Sequence, residues 1–245
     1  MNKKTYEKPM KTYLITGAAQ GLGKELSKQL AKAGHQVILL DKEMKALNAL
    51  YDELEASFPN QVALYPMDLL GANIDNYKEL QTNLVEAYGH IDGVFLNAAI
   101  LPAFTPIEHF DYTQWYEVLH TNLNANFHLI QQSLGMMKNA SEGKIVAISD
   151  KNIEDHPAYY GAYGVAKAGL EQLIKTVAAE TKEQNIDCYL ANLGTFATEA
   201  RGRLFPGENP VKLTSAEDMA SFILDSIADQ PIMTTTADFG VIEKL

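Results

Sequence analysis

Tyr163 and Lys167 lie four residues apart in a stretch with helical periodicity, which puts a phenol and an ammonium on one face of a helix. A phenol moves protons near neutral pH only if its pKa falls from about 10. A neighbouring ammonium stabilises the phenolate and lowers it. The pair is a candidate general acid–base at a carbinol or carbonyl oxygen; an exposed helix pair is the other reading of the same spacing. A second candidate is the turn Thr16-Gly17-Ala18-Ala19-Gln20-Gly21-Leu22-Gly23, which follows a first strand and opens a first helix. Glycine admits positive φ and close backbone approach, and a helix N-terminus adds partial positive charge, which together suit a pyrophosphate. Such a turn alone also marks ordinary chain reversals; after a first strand it points to a dinucleotide. Asp41, 24 residues beyond Gly17, ends the second strand. A carboxylate there accepts hydrogen bonds from ribose hydroxyls and repels a 2′-phosphate, which points to NAD. Lys42 beside it keeps NADP as the lesser option, and a solvated strand-end Asp is the plain reading.

These residues need a frame. Apolar runs at 12–16, 36–40, 61–65, 91–96, 144–148 and 186–191 have the length and Val/Ile/Leu content of strands buried on both faces. Amphipathic stretches alternate with them near 22–33, 43–57, 75–88, 111–138 and 161–184, and a further helix is expected near 215–228. Gly34 and Gly89 sit at helix C-terminal positions, Pro59 closes the second helix, and Thr214 with Glu217 has capping-box spacing. The alternation predicts one α/β domain over 1–245, a doubly wound parallel sheet with helices on both faces. The aperiodic stretch 194–213 is expected to be a lid over the substrate.

In this order and spacing the chain resembles the short-chain dehydrogenase/reductase superfamily over nearly its whole length. The family's TGxxxGxG matches Thr16, Gly17, Gly21 and Gly23, its adenine-contacting Asp matches Asp68, and its helix-borne Asn matches Asn122, 41 residues before Tyr163. Leu96-Asn97-Ala98-Ala99 matches the family's Asn-Asn-Ala-Gly in part, and Gly194 and Thr198 match its Pro-Gly-x-x-x-Thr with Leu193 in place of proline. The stretch Thr198 to Pro206 also resembles a bacterial subgroup exemplified by YciK. The resemblance implies hydride transfer between a nicotinamide cofactor and a hydroxyl/carbonyl group of a small organic substrate. It implies Asn122, Asp150, Tyr163 and Lys167 as catalytic residues. It implies Gly17, Gln20, Gly21, Leu22, Gly23, Asp41, Asp68, Asn97, Ala98, Tyr163, Lys167, Gly194, Phe196 and Thr198 as cofactor contacts. A homodimer or homotetramer built on the helices at 111–138 and 161–184 is a further implication.

A further departure falls among the catalytic positions. The family's substrate-orienting Ser lies about 13 residues before the Tyr, where this chain has Asp150. An ionised carboxylate cannot donate a hydrogen bond, and it raises the pKa of a nearby phenol. Three readings follow: Ser149 substitutes after a one-residue shift; Asp150 stays protonated or accepts from a substrate donor; or the chain is a dinucleotide-binding module with weak or no catalysis. The chain's two arginines, Arg201 and Arg203, fall in the expected lid and suggest an anionic substrate group, or else solvated loop cations. Phe104, His156, Tyr159 and Tyr160 are further pocket candidates.

Composition narrows the classes. The 47% hydrophobic and 21% charged fractions exclude a disordered chain, and the net charge of −11 argues against nucleic-acid or anionic-membrane partners. A single cysteine, Cys188, precludes an intrachain disulfide and fits a cytoplasmic protein. The N-terminal stretch is charged and lacks a signal-peptide apolar core, and no apolar run reaches the ~18 residues of a membrane span. The six His show no metal-ligand spacing, so no metal is expected.

Overall fold

A computed structural model describes residues 9–228, 233–236 and 239–245; most of the charged N-terminal stretch lies outside them. Strands β1 (Thr12–Thr16), β2 (Gln36–Asp41), β3 (Val62–Pro66), β4 (Gly93–Leu96), β5 (Gly143–Asp150) and β6 (Ile186–Leu193) alternate with helices α1 (Gly21–Lys32), α2 (Met44–Ser57), α3 (Ile74–Tyr88), α4 (Tyr112–Leu119), α5 (Ala125–Met136) and α6 (Gly161–Thr181). Helices α7 (Glu199–Leu204) and α8 (Ala216–Ala228) follow, then β7 (Met233–Thr236) and β8 (Gly240–Lys244). The sheet order is β3-β2-β1-β4-β5-β6-β8-β7.

β1 to β6 are parallel, as expected of strands buried on both faces. They form the expected parallel sheet, and one edge adds two strands beyond the six expected: β8 runs antiparallel to β6, and β7 antiparallel to β8. The reason is local, since the short β7–β8 connection permits only an antiparallel hairpin, whereas a parallel pair needs a crossover. This edge bears on the site, because Gly194 N–H donates to the Phe239 carbonyl (2.9 Å) and steadies the end of β6.

The chain crosses from β1 to β2 on one side and from β1's other neighbour β4 onward on the other, so the strand order reverses between β1 and β4. Ligands of open α/β sheets bind outside the strand C-termini at such a reversal. Two apolar layers flank the sheet. One includes Ile15, Leu26, Leu39, Leu50 and Ile223, the other Leu14, Ile38, Leu80, Leu129 and Ile174, all fully or almost fully buried. Each such side chain contributes about 1.5–3 kcal/mol by leaving water.

Three local expectations are revised. The helix expected over 111–138 is interrupted by a π-helical turn at His120–Asn124. The aperiodic stretch 194–213 contains α7, followed by a short 3₁₀ turn at Pro210–Lys212. The cap of α8 is Ser215, whose hydroxyl accepts from Asp218 N–H (3.0 Å), one residue later than the Thr214–Glu217 spacing suggested. Gly34 and Gly89 do end their helices at positive φ.

Candidate active site

The ends of β1 and β4 are laced together. Thr16 Oγ1 donates to the Phe95 carbonyl (3.1 Å) and accepts from the N–H groups of Asn97 and Ala98, each at 3.0 Å. Asn97 Nδ2 donates to the carbonyls of Thr16 (2.9 Å) and Gly17 (3.2 Å). Gly17 and Gly21 have φ of +64° and +56°, in the left-handed region that glycine occupies without strain. A Cβ on Gly17 would sit 2.9 Å from Ala98 Cα, and one on Gly23 would run into the Gly17 carbonyl oxygen. α1 begins without a side-chain cap and with no acidic residue in its first turn, so its positive end is left for a ligand anion.

This turn opens on a cleft of about 920 Å³. Gln20, Leu22, Asp41, Asp68, Gly194, Phe196 and Thr198 line it together with Gly17, Gly21, Asn97 and Ala98. Gly23 does not, because it packs beneath the turn. Asp41 is nearly buried and already occupied: Oδ2 accepts from Ala19 N–H (2.9 Å) and Oδ1 from Glu43 N–H (3.0 Å). Its carboxylate therefore braces the glycine turn as well as facing the cleft. Asp68 is exposed on the same side, with Oδ1 accepting from Leu70 N–H (3.1 Å). Left-handed glycines, an uncapped helix end and carboxylates at the far end are a set that fits a nicotinamide dinucleotide.

The other end of the cleft holds Asp150, Tyr163 and Lys167. Tyr163 donates its hydroxyl proton to Asp150 Oδ2 (3.2 Å). Asp150 Oδ1 is held by Asn152 through both its N–H (2.9 Å) and its Nδ2 (2.7 Å). Burial and the Asp150 carboxylate push the Tyr163 phenol well above its ordinary pKa. Lys167, almost wholly buried, donates from Nζ to the Ile148 carbonyl (2.7 Å). Burial brings its pKa down to about 8, against the opposing pull of Asp150 and Glu171.

Ser149 is bonded away from the phenol. Its hydroxyl donates to Glu171 (2.6 Å), which stands roughly two helical turns along α6 from Tyr163. The strand delivers Asp150, not Ser149, to the phenol. Asn122 takes the backbone-serving place that is compatible with the role the resemblance implies for it. It is fully buried in the π-helical turn, where its side chain pairs with both backbone groups of Ile100 (Oδ1 2.7 Å, Nδ2 2.8 Å), while its own carbonyl accepts from Asn126 Nδ2 (2.8 Å). The side chain thus latches the loop after β4 instead of reaching the cleft.

In the lid segment, Thr198 caps α7 by accepting from Arg201 N–H (3.1 Å). Arg201 makes a bidentate ion pair with Glu208 (Nε 2.6 Å, Nη2 2.9 Å) and lies 4.4 Å above the Phe205 ring. Of the two arginines expected to receive an anion, one is thus already paired; Arg203 is exposed at the cleft wall. Phe205 packs on Phe104, Phe104 stacks on Tyr160 (4.9 Å), and Tyr160 meets Tyr163 edge-on (6.0 Å). His156 and Tyr159 are exposed at positive φ and take no part.

Reading the sequence missed Glu171, Asn152 and Glu208. Glu171 carried a signal, because Tyr163, Lys167 and Glu171 recur every four residues on one helix face. Asn152 and Glu208 carried none, since their partners are set by the packing of loops.

A family model for short chain dehydrogenases matches residues 11–209. The chain belongs to the short-chain dehydrogenase family. The Escherichia coli oxidoreductase YciK is 28% identical over 227 residues, covering 92% of this chain and 89% of that protein. A Pseudomonas syringae structure of a short chain dehydrogenase superposes with a TM-score of 0.85 at 28% identity, covering 92% of this chain and 95% of that one. A short chain dehydrogenase from Shigella flexneri, solved in complex with NADP, has a TM-score of 0.83 at 29% identity, covering 88% and 92%. The fold, the motifs and these relatives make the chain an NAD(P)-dependent oxidoreductase, and a non-catalytic binding module is not favoured. Among the described residues no helix is long and apolar enough to cross a membrane.

Proposed function

We propose that this short-chain dehydrogenase interconverts a hydroxyl and a carbonyl group on a small substrate, with Tyr163 as the proton-transferring group and NAD(H) as the preferred cofactor. The observation that carries the reading is the meeting of the Tyr163 hydroxyl, the buried Lys167 ammonium and the Asp150 carboxylate at one end of the cleft. When bound, the nicotinamide supplies or accepts the hydride. Tyr163 gives its proton to the carbonyl oxygen in reduction and takes one from the carbinol in oxidation. Lys167, held by the Ile148 carbonyl, offsets the negative charge that reduction leaves on Tyr163. Asn122 is a positioning residue that holds Ile100 at the cleft wall. Gly17, Gly21 and the start of α1 receive the pyrophosphate, and Gly194, Phe196 and Thr198 close over the nicotinamide end.

NAD(H) is favoured on charge. A 2′-phosphate would meet the Asp41 carboxylate, which both its backbone bonds and its place at the strand end hold toward the cleft. The Shigella relative's NADP shows how close the alternative lies, and exposed Lys42 is the residue that would serve it. Of the two lid arginines, Arg203 is the one that would receive an anionic substrate group without breaking an ion pair. A homodimer or homotetramer is supported by the apolar side chains exposed on α4 to α6, namely Tyr112, Tyr116, Phe127 and Val165. A cytoplasmic setting fits Cys188, whose thiol is buried and pushed up to about 11.

The test is nicotinamide oxidation against a panel of ketones and aldehydes, with NADH and NADPH in parallel. Wild type is expected to turn over with a preference for NADH, and Tyr163→Phe to lose about 10²–10⁴ in rate while still binding cofactor. A Tyr163→Phe enzyme as fast as wild type overturns the assignment.

A further inference from the structure

At the substrate end of the cleft a carboxylate, Asp150, is bonded to the proton-transferring phenol, a place where hydride transfer to a simple carbonyl has no use for it. Two carboxylates, Asp150 and Glu171, act on a single ammonium, Lys167. Reduction then adds a third negative charge beside them, because Tyr163 must release its proton 3.2 Å from Asp150 Oδ2. The Asp150 carboxylate is not free to turn away. Its Oδ1 is fixed by two bonds from Asn152, so Oδ2 is directed at the phenol and at the cleft. Once Tyr163 swings its proton to a substrate oxygen, Oδ2 is an acceptor with no donor. Asp150 is half-buried, and a partly desolvated, charged acceptor that loses its donor costs free energy. The position that would orient an ordinary carbonyl by donating a proton instead requires a donor from the substrate. Arg201 does not supply it, since Glu208 already takes its fork, and among the described residues the Asp150 carboxylate accepts from Asn152 and Tyr163, with no arginine bonded to it.

We propose that the substrate carries an ammonium group on the carbon next to the reacting one, and that Asp150 is the residue that recognises it. The substrates are then α-amino ketones and the matching vicinal amino alcohols. This rests on the oxidoreductase reading above and adds the substrate class to it. In the reducing direction the carbonyl carbon takes a hydride, two electrons and a proton, from the reduced nicotinamide, and the carbonyl oxygen takes the Tyr163 proton. The C=O π bond breaks, a C–H and an O–H bond form, and one solvent proton restores Tyr163. The substrate's ammonium is unchanged throughout. It donates to Asp150 Oδ2 and offsets the charge that builds on Tyr163, so its benefit is felt in the transition state as well as in binding. A neutral hydroxyl at the same carbon satisfies the acceptor and leaves the charge.

Three ketones of one size separate the possibilities: aminoacetone, hydroxyacetone and butanone, each reduced with NADH by wild type, Asp150→Asn and Asp150→Ser. Asparagine keeps the acceptor that holds Asn152, and retained NADH binding by fluorescence reports that both variants fold. Wild type is expected to favour aminoacetone over butanone in kcat/KM by about 10- to 100-fold, the range of a hydrogen bond to a charged group. Both variants are expected to bring that ratio to within a few-fold of one. A wild-type ratio near one, a preference for hydroxyacetone over aminoacetone, or an unchanged ratio in Asp150→Asn each overturns the proposal. Should wild type reduce none of the three, calorimetry of 1-amino-2-propanol and 2-butanol against the NADH-bound enzyme decides. Tighter binding of the amine that Asp150→Asn abolishes supports the proposal, and equal binding overturns it. Failure of the oxidoreductase reading has a separate signature, in which Tyr163→Phe matches wild type on every carbonyl while the amine preference stands or falls with Asp150.

Discussion

The two ends of the cleft are built by different means. The cofactor end is made of backbone: two glycines at positive φ, an uncapped helix start, and Thr16 and Asn97 bonding main-chain groups across β1 and β4. Even its carboxylate, Asp41, spends both oxygens on backbone N–H groups. The substrate end is made of side chains bonded to side chains: Tyr163 to Asp150, Asp150 to Asn152, Ser149 to Glu171, and Arg201 to Glu208. Backbone can be replaced only at the cost of the fold, whereas a side-chain network can exchange one polar group for another. That is how the glycine turn can keep the family pattern while the side chain at position 150 departs from it.

The sharpest way to break this contrast is at Gly23. Its added Cβ would meet the Gly17 carbonyl, so Gly23→Ala must move the turn itself. An overpacking cost of about 1–3 kcal/mol is expected, and with it weakened binding of both nicotinamide cofactors. Thermal unfolding and cofactor titration check it, and unchanged stability with unchanged binding would mean that the turn is softer than its lacing implies.

Asp41→Ala probes the one side chain in the cofactor end that does two tasks. Removing the charge is expected to narrow the NADH-over-NADPH preference by about tenfold, equivalent to ~1.4 kcal/mol. Removing the acceptor for Ala19 and Glu43 is expected to weaken both cofactors somewhat as well. Parallel titrations at matched ionic strength separate the two effects, and an unchanged ratio would remove Asp41 from cofactor choice.

The smallest effect is expected at Glu171, which is not among the residues that line the cleft. Lys167, brought down to about 8 by burial, loses its proton as pH rises through that value, and carbonyl reduction is expected to fall with it. Glu171 raises the Lys167 pKa against burial. Glu171→Gln removes that support, so the basic limb of the kcat/KM profile is expected to move to lower pH, by under about one unit. A merely structural role would lower the rate and leave the limb in place. Asp150 faces the same ammonium, so a larger shift in Asp150→Asn than in Glu171→Gln would rank the two carboxylates.

By itself the sequence determined the βα alternation, the glycine turn after β1, and the shared helix face of Tyr163 and Lys167. These are legible because strand burial, helix periodicity and glycine's φ are written within a few consecutive residues. Only the tertiary structure decided that Ser149 bonds Glu171 while Asp150 bonds Tyr163, that Asn122 is spent on Ile100, that Arg201 belongs to Glu208, and that the last two strands run antiparallel. Most of these partners lie 7 to 22 residues apart on different elements, and hydrogen-bond partnership is a matter of a few tenths of an ångström. Periodicity places a residue on a face; the packing of strand, helix and loop against one another selects which neighbour its polar atoms meet.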